Sequence, residues 1–238
     1  MALTKVGKEG VVGLDNSADA TAITISSGEV VTLSNNLITN GNVLRGANDS
    51  SNTLSGGTAS NSGGNITAYG ASHSSLASNV RFRSGSTVTM VIDATGAVTK
   101  PLQPAFMARK DSTQSNLASG DVIVFGTEVF DNNADFASNV FTAPVAGRYQ
   151  LNFTGRADNT DSAAAYSRFY LKTSNRNYES IFHIGGLSAD ASYWTFVIVV
   201  LADMDASDTA FVEYNQGGGS NQADMQANES TFSGYLVA

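Results

Sequence analysis

Phe125-Gly-Thr-Glu-Val-Phe-Asp131, Phe136 and Phe141-Thr-Ala-Pro-Val-Ala-Gly147-Arg-Tyr149-Gln-Leu-Asn-Phe153 make up the stretch that decides how this chain folds. In its last six residues Tyr149, Leu151 and Phe153 alternate with Arg148, Gln150 and Asn152, the period of a half-buried strand. Short β-branched or aromatic runs lie on both sides of it: Asp121-Val-Ile-Val-Phe125, residues 166–171 and Phe211-Val-Glu-Tyr214. Turn-forming clusters separate them at Asp131-Asn-Asn133, Asp158-Asn-Thr160, Ser174-Asn-Arg176 and Gln216-Gly-Gly-Gly-Ser220. Tyr193-Trp-Thr-Phe-Val-Ile-Val-Val-Leu201 is apolar at nearly every position, which predicts a strand buried on both faces. No segment carries a sustained helical stripe, so this half of the chain reads as all-β.

The aromatic spacing over residues 125–153, the Phe-Thr-Ala-Pro-x-x-Gly-x-Tyr run at 141–149 and the closing Phe232-Ser-Gly-Tyr-Leu resemble the C1q/tumour-necrosis-factor-like head domain. The resemblance spans roughly residues 104–238. Two details depart from it: fewer residues separate Phe136 from Phe141 than is usual, and Leu151 stands where the family has an aromatic. The first implies a shortened loop and the second an apolar exchange that cores tolerate. The resemblance implies a jelly roll of about ten strands that assembles as a homotrimer and binds ligands without catalysis. One face of the 193–201 strand would then lie between subunits. Phe125, Phe141, Tyr149, Phe153, Trp194, Phe196, Phe211 and Phe232 are expected in the head core or at its threefold interface.

Residues 1–103 have a different chemistry. Between Leu44 and Ser86, Ser, Gly, Asn, Ala and Thr dominate, and an isolated chain of that composition buries too little apolar surface to offset ordering. A disordered linker is one reading. Recurring strand signals favour the other, a fibrous β-structure whose strands pair with neighbouring chains and leave no free edges. The signals lie at residues 20–26, 29–33, 65–69, 80–83, 87–92 and 97–99, with Asp93-Ala-Thr-Gly96 as a turn. Short Gly-rich stretches at 54–58, 64–70, 84–87 and 92–98 resemble segments that precede the head in bacteriophage fibre and spike proteins. Lys100-Pro-Leu-Gln-Pro-Ala105, with two of the chain's three prolines, marks a stiff junction near residue 103.

The net charge is −8 with no basic cluster, so nucleic acid is not an expected partner. There is no cysteine, hence no disulfide and no thiolate zinc site. The first ten residues lack the apolar core of a signal peptide, and no apolar run is long enough for a membrane span. These features fit a virion protein assembled in a host cytoplasm.

Chemistry-bearing residues are sparse. His73 and His183 are the two histidines, neither at metal-ligand spacing, and His183 in its apolar run reads as a core or interface side chain. Nucleophile-elbow, phosphate-loop and zinc-protease motifs are missing, so enzymatic activity is not expected. Gly217-Gly-Gly219 reads as a flexible end loop. The Asn-x-Ser/Thr matches are chance in a chain this rich in those residues. No cofactor is expected apart from calcium, which some C1q-like proteins bind. Asp158 and Asp161 in one loop, and Asp203, Asp205 and Asp208 in another, could offer it oxygen ligands or could be solvated turn residues.

End loops on a β scaffold commonly carry recognition, which points to residues 158–161, 174–178 and 216–222. Arg176, Tyr178, Asn175 and Asn159 are the candidate receptor contacts, Arg176 for anionic groups and Tyr178 for sugar rings. Three functions fit: a phage fibre tip contacting a host glycan or protein, a purely structural head fibre or collar protein held to other virion proteins by its N-terminal region, and a secreted C1q-like lectin or adhesin.

Overall fold

The computed structural model describes residues 47–237; the strand signals at 20–26 and 29–33 lie outside the described residues. From 51 to 99 the chain forms a single antiparallel sheet in the order β1 (Ser51–Ser55), β2 (Gly64–Tyr69), β3 (Val80–Ser84), β4 (Thr87–Ile92) and β5 (Val98–Thr99). The described strands of this region find partners on their own chain. Leu54 pairs with Ile66, Ile66 with Phe82 and Phe82 with Met90, all within one chain.

Tight turns close two of the sheet's four connections, and closing a short loop costs little entropy. Gly85, at φ 60°, sits in the two-residue turn between β3 and β4. Asp93 accepts from the Thr95 hydroxyl at 2.7 Å, the Thr95 amide at 2.8 Å and the Ala97 amide at 3.0 Å, closing the turn into β5. β1, with its polar sequence, gave no strand signal and was missed. One face of the sheet carries Leu54, Ile66, Phe82, Met90, Val80, Ile92 and Val98, of which Leu54 is 75% exposed. The other carries Thr53, Thr67, Tyr69, Arg81 and Arg83.

The remainder is a two-layer sandwich, the all-β architecture expected. Its strands are β6 (Ala105–Arg109), β7 (Thr127–Asp131), β8 (Phe136–Ala137), β9 (Val140–Thr142), β10 (Gly147–Thr160), β11 (Ser167–Thr173), β12 (Asn177–Phe182), β13 (Ala191–Met204), β14 (Thr209–Gln216), β15 (Asp224–Met225) and β16 (Thr231–Leu236). One sheet runs β13-β10-β16-β6-β7 with β15 also on β10; the other runs β12-β11-β14-β9-β8. The shortened loop after Phe136 is a two-residue hairpin turn: Phe136 pairs with Phe141, and Ser138 and Asn139 both take positive φ, at 51° and 68°.

Strands β10, β11 and β14 alternate buried and part-exposed along nearly their whole length. Phe141, Tyr149, Phe153, Phe196 and Phe232 fill the space between the sheets, joined by Phe125 from a loop. Phe169 bridges the layers, with ring centroids 5.2 Å from Phe153 and 4.9 Å from Phe196. Gly234 has no room for a side chain: a Cβ there would sit 2.6 Å from Leu151 and 2.9 Å from Phe106.

Two of the aromatics expected in the core or at a threefold interface lie outside the core of the single chain. Phe211 lies half-buried on the outward side of β14, because Ala210 and Val212 take the inward positions. Trp194 is 43% exposed and stacks flat on Phe182, with centroids 3.9 Å apart. The run at 121–125 is no regular strand either. Ile123 and Phe125 are buried, yet past the single bridge from Val122 to Glu213 the backbone is met by side chains. Gln114 accepts from the Val124 amide and donates to the Val122 carbonyl, and Asn139 accepts from the Phe125 amide.

Candidate functional site

The chain enters the sandwich at one end of β10. There Leu236 donates its amide to the Pro104 carbonyl at 3.0 Å, and Gln103 donates to the Leu236 carbonyl at 2.7 Å. β10 runs from this proximal end, where Gly147 faces Met204, to a distal end where Thr160 faces Ala191. Its 14 residues separate the two ends by roughly 40 Å. The distal end is built by loops around residues 115–120, 158–166, 187–190 and 217–223.

This geometry splits the expected recognition surface. Residues 158–161 and 216–222 are distal, whereas 174–178 is proximal, because Thr173 pairs with Ala210 and Ser167 with Gln216. At the proximal end Arg176 places one guanidinium nitrogen 2.6 and 2.8 Å from the Asp203 carboxylate oxygens. Asn175 donates to the Asp203 carbonyl and to Asp208, both at 2.9 Å. Tyr178 is not an open aromatic platform. The alternation of β12 turns it inward, half-buried against the core.

At the distal end Asp158 holds Arg156 through two bonds of 2.8 Å. Asp161 is buried and accepts from the amides of Ala163, at 2.8 Å, and Ser220. Gln216 donates to the carbonyls of Gly218 and Ser220 at 3.0 Å each, so the glycine loop is pinned rather than free. Asn159, at φ 55°, donates to Asp224 at 2.9 Å. Between these loops lies a polar hollow of about 390 Å³ whose lining includes Asn116, Asn159, Asp190, Gln222 and Asp224. Asp190 accepts from the Ser162 amide and hydroxyl and from Gln222, and these bonds, the amide's foremost, hold its carboxyl below the usual carboxylate range. Each carboxylate keeps unused lone pairs, so the hollow is rich in acceptors for ligand hydroxyls. Asn159 and Gln222 belong to the loops that the sequence pointed to, whereas Asn116, Asp190 and Asp224 were missed, since loops distant in sequence bring them together.

The five calcium candidates divide in the same way, Asp158 and Asp161 distal, Asp203, Asp205 and Asp208 proximal. Among the described residues no group of three or more His, Asp or Glu side chains gathers as a metal centre. His73 accepts from the amides of Ser75 and Leu76 through Nδ1 and so organises a turn. His183 is exposed ahead of a short 3-10 turn at Ile184–Gly186, not in the core.

A third surface is the outward face of the six-stranded sheet. β13 buries Phe196, Ile198, Ala202 and Met204, but Tyr193 is 70%, Val197 52%, Val199 63% and Leu201 54% exposed. The expectation of burial on both faces therefore holds for one face of the single chain. Val199 stands beside Asn152 and Leu201 beside Gln150 on β10, and Tyr235 of β16 flanks Gln150 on the other side.

The C1q domain family matches residues 105–237. Among solved structures, the globular domain of zebrafish complement 1qA protein is 16% identical and covers 57% of this chain and 98% of its own, with a TM-score of 0.46. Murine APRIL is 8% identical, covers 57% and 99%, and has a TM-score of 0.42. No curated protein sequence matches the chain.

Proposed function

The chain belongs to the C1q domain family through residues 105–237, and from that premise we propose that it is a non-enzymatic binding module acting as a homotrimer. The apolar outward row of β13 carries this reading. Three aliphatic side chains and a tyrosine stand in water along one edge strand, and each aliphatic is worth about 1.5–3 kcal/mol when fully buried. A head-to-tail contact using this face closes into a ring when the rotation is threefold. The open apolar face of β1–β5 supports the same association along the stalk.

Ligand contact falls to the distal end, because the incoming chain occupies the proximal one. Asn159, Asp190, Gln222 and Asp224 offer acceptors there for a polyhydroxylated ligand. The setting we infer is a fibre on a virus particle, head outermost, with residues 47–103 forming strands rather than a slack tether. Sedimentation equilibrium of the full chain tests the assembly: a mass of three chains supports it, and a stable monomer at micromolar concentration overturns it. Electron microscopy of particles with the chain labelled tests the setting, and a chain secreted free of particles would make it an adhesin instead.

A further inference from the structure

The polar face of the N-terminal sheet holds a cationic cradle for which the head's function gives no use. Tyr69 is its centre. The Arg81 guanidinium lies 5.8 Å and that of Arg83 6.0 Å from the centroid of its ring, and His73 meets the same ring edge-on at 4.8 Å. Arg83 donates to the Thr67 hydroxyl at 2.9 Å and to the Tyr69 hydroxyl at 2.6 Å, which uses two of its five N–H donors. Beside it opens a hollow of about 260 Å³ lined by Arg83, Tyr69, Thr53, Thr67, Ser60 and Asn61 among others, none of them acidic.

The charge pattern points to what is missing. The protein carries 21 acidic against 13 basic residues, and Arg156, Arg168, Lys172 and Arg176 each have a carboxylate partner. Among the described residues Arg81 and Arg83 have none, like Lys100, Arg109, Lys110 and Arg148, but these two are held against one aromatic ring. Arg81 also leaves its buried Nε without a hydrogen-bond partner. Two like charges held together without a counterion are unfavourable, and a planar guanidinium fork suits an oxyanion. The surrounding hydroxyls and amide suit the hydroxyl groups of a sugar, and the hollow is of single-ring size.

We propose that this cradle binds the oxyanion, carboxylate or sulfate ester, of an acidic saccharide. The site is separate from the distal hollow of the head and stands whether or not that hollow binds a ligand. Its test is calorimetry on the full chain with four probes: a hexuronate oligosaccharide, a sulfated dextran oligomer, a neutral dextran oligomer and inorganic sulfate. At least one acidic oligosaccharide is expected to bind about tenfold or more tighter than neutral dextran, with affinity falling as salt rises. Comparing the first two probes identifies which oxyanion is preferred.

Arg81→Gln and Arg83→Gln are each expected to weaken that binding about tenfold or more, while Lys100→Gln, which removes the same charge elsewhere, leaves it unchanged. Arg83→Gln could loosen the sheet through Thr67 and Tyr69. Arg81→Gln removes no hydrogen bond and keeps the test clean. Equal binding of acidic and neutral oligosaccharides, equal losses in the Arg81 and Lys100 variants, binding of inorganic sulfate as tight as that of the oligosaccharides, or no binding of any probe would each overturn the assignment.

Discussion

Lys110 donates its ammonium to the carbonyl oxygen of Val124 at 3.0 Å, inside the sandwich and 1% exposed. Its second partner is Gln114 at 3.3 Å, and together these side chains stand in for the ladder that residues 121–125 do not form. A buried ammonium with two neutral partners is poorly solvated, and burial lowers its pKa from 10.5 to about 8.

The pH dependence has a definite sign. Between about pH 8 and 10.5 the unfolded chain binds the Lys110 proton and the folded chain has released it, so stability rises with pH across that window. Burial raises the pKa of Tyr149 and Tyr214. Their contribution is full below the ordinary tyrosine value and is lost above it, which sets the upper limit of a clean measurement. Urea titrations at pH 7 and 9.5 should show a gain of about 1–2 kcal/mol, the worth of roughly one pKa unit. Lys110→Met should abolish it, and an unchanged slope in that variant would remove Lys110 as the cause.

Two aromatics two residues apart on β13 should respond very differently. Phe196 is 1% exposed within the core and Trp194 is 43% exposed. Phe196→Ala is expected to cost about 3–5 kcal/mol, and Trp194→Ala about 1–2 kcal/mol for its stack on Phe182. Equal costs in denaturant titrations would mean that Trp194 is buried in the assembly.

Val199→Glu places a carboxylate at the middle of the exposed β13 row, beside Asn152. The single chain should keep its fold, since surface changes usually cost under about 0.5 kcal/mol. The assembly should fall to single chains of 24.7 kDa in sedimentation velocity, because a buried unpaired charge costs several kcal/mol. A variant that stays assembled would move the interface off this face.

In the fibre role proposed above, Gln222→Ala combined with Asn159→Gly should reduce adsorption to a host surface by about tenfold, since both side chains line the distal hollow. Asn159→Gly keeps the positive φ of 55° accessible. Arg176→Ala, which breaks a pair whose side chains are 54% and 64% exposed, should change neither adsorption nor stability by more than about 0.5 kcal/mol. Adsorption lost only in the Arg176 variant would relocate the ligand to the proximal end.

What the sequence by itself determined is local. The alternation of Tyr149, Leu151 and Phe153 declared a strand with one buried face, and β10 is that strand. The close spacing of Phe136 and Phe141 implied a shortened loop, and the signals at 65–69, 80–83 and 87–92 became β2, β3 and β4. A period of two is visible in any six residues, because successive side chains must point to opposite faces.

Tertiary structure decided everything that depends on which strand lies beside which. The same alternation turned Tyr178 inward and Phe211 outward, because pairing with neighbouring strands sets the absolute phase. Register sent Arg176 to the proximal end and Asn159 to the distal one, although both lie in polar loops of similar composition. It also put Arg81 and Arg83 against one tyrosine from the neighbouring strand, and Lys110 under a backbone that no strand completes. Face and end are properties of long-range pairing, and no short stretch of the chain contains them.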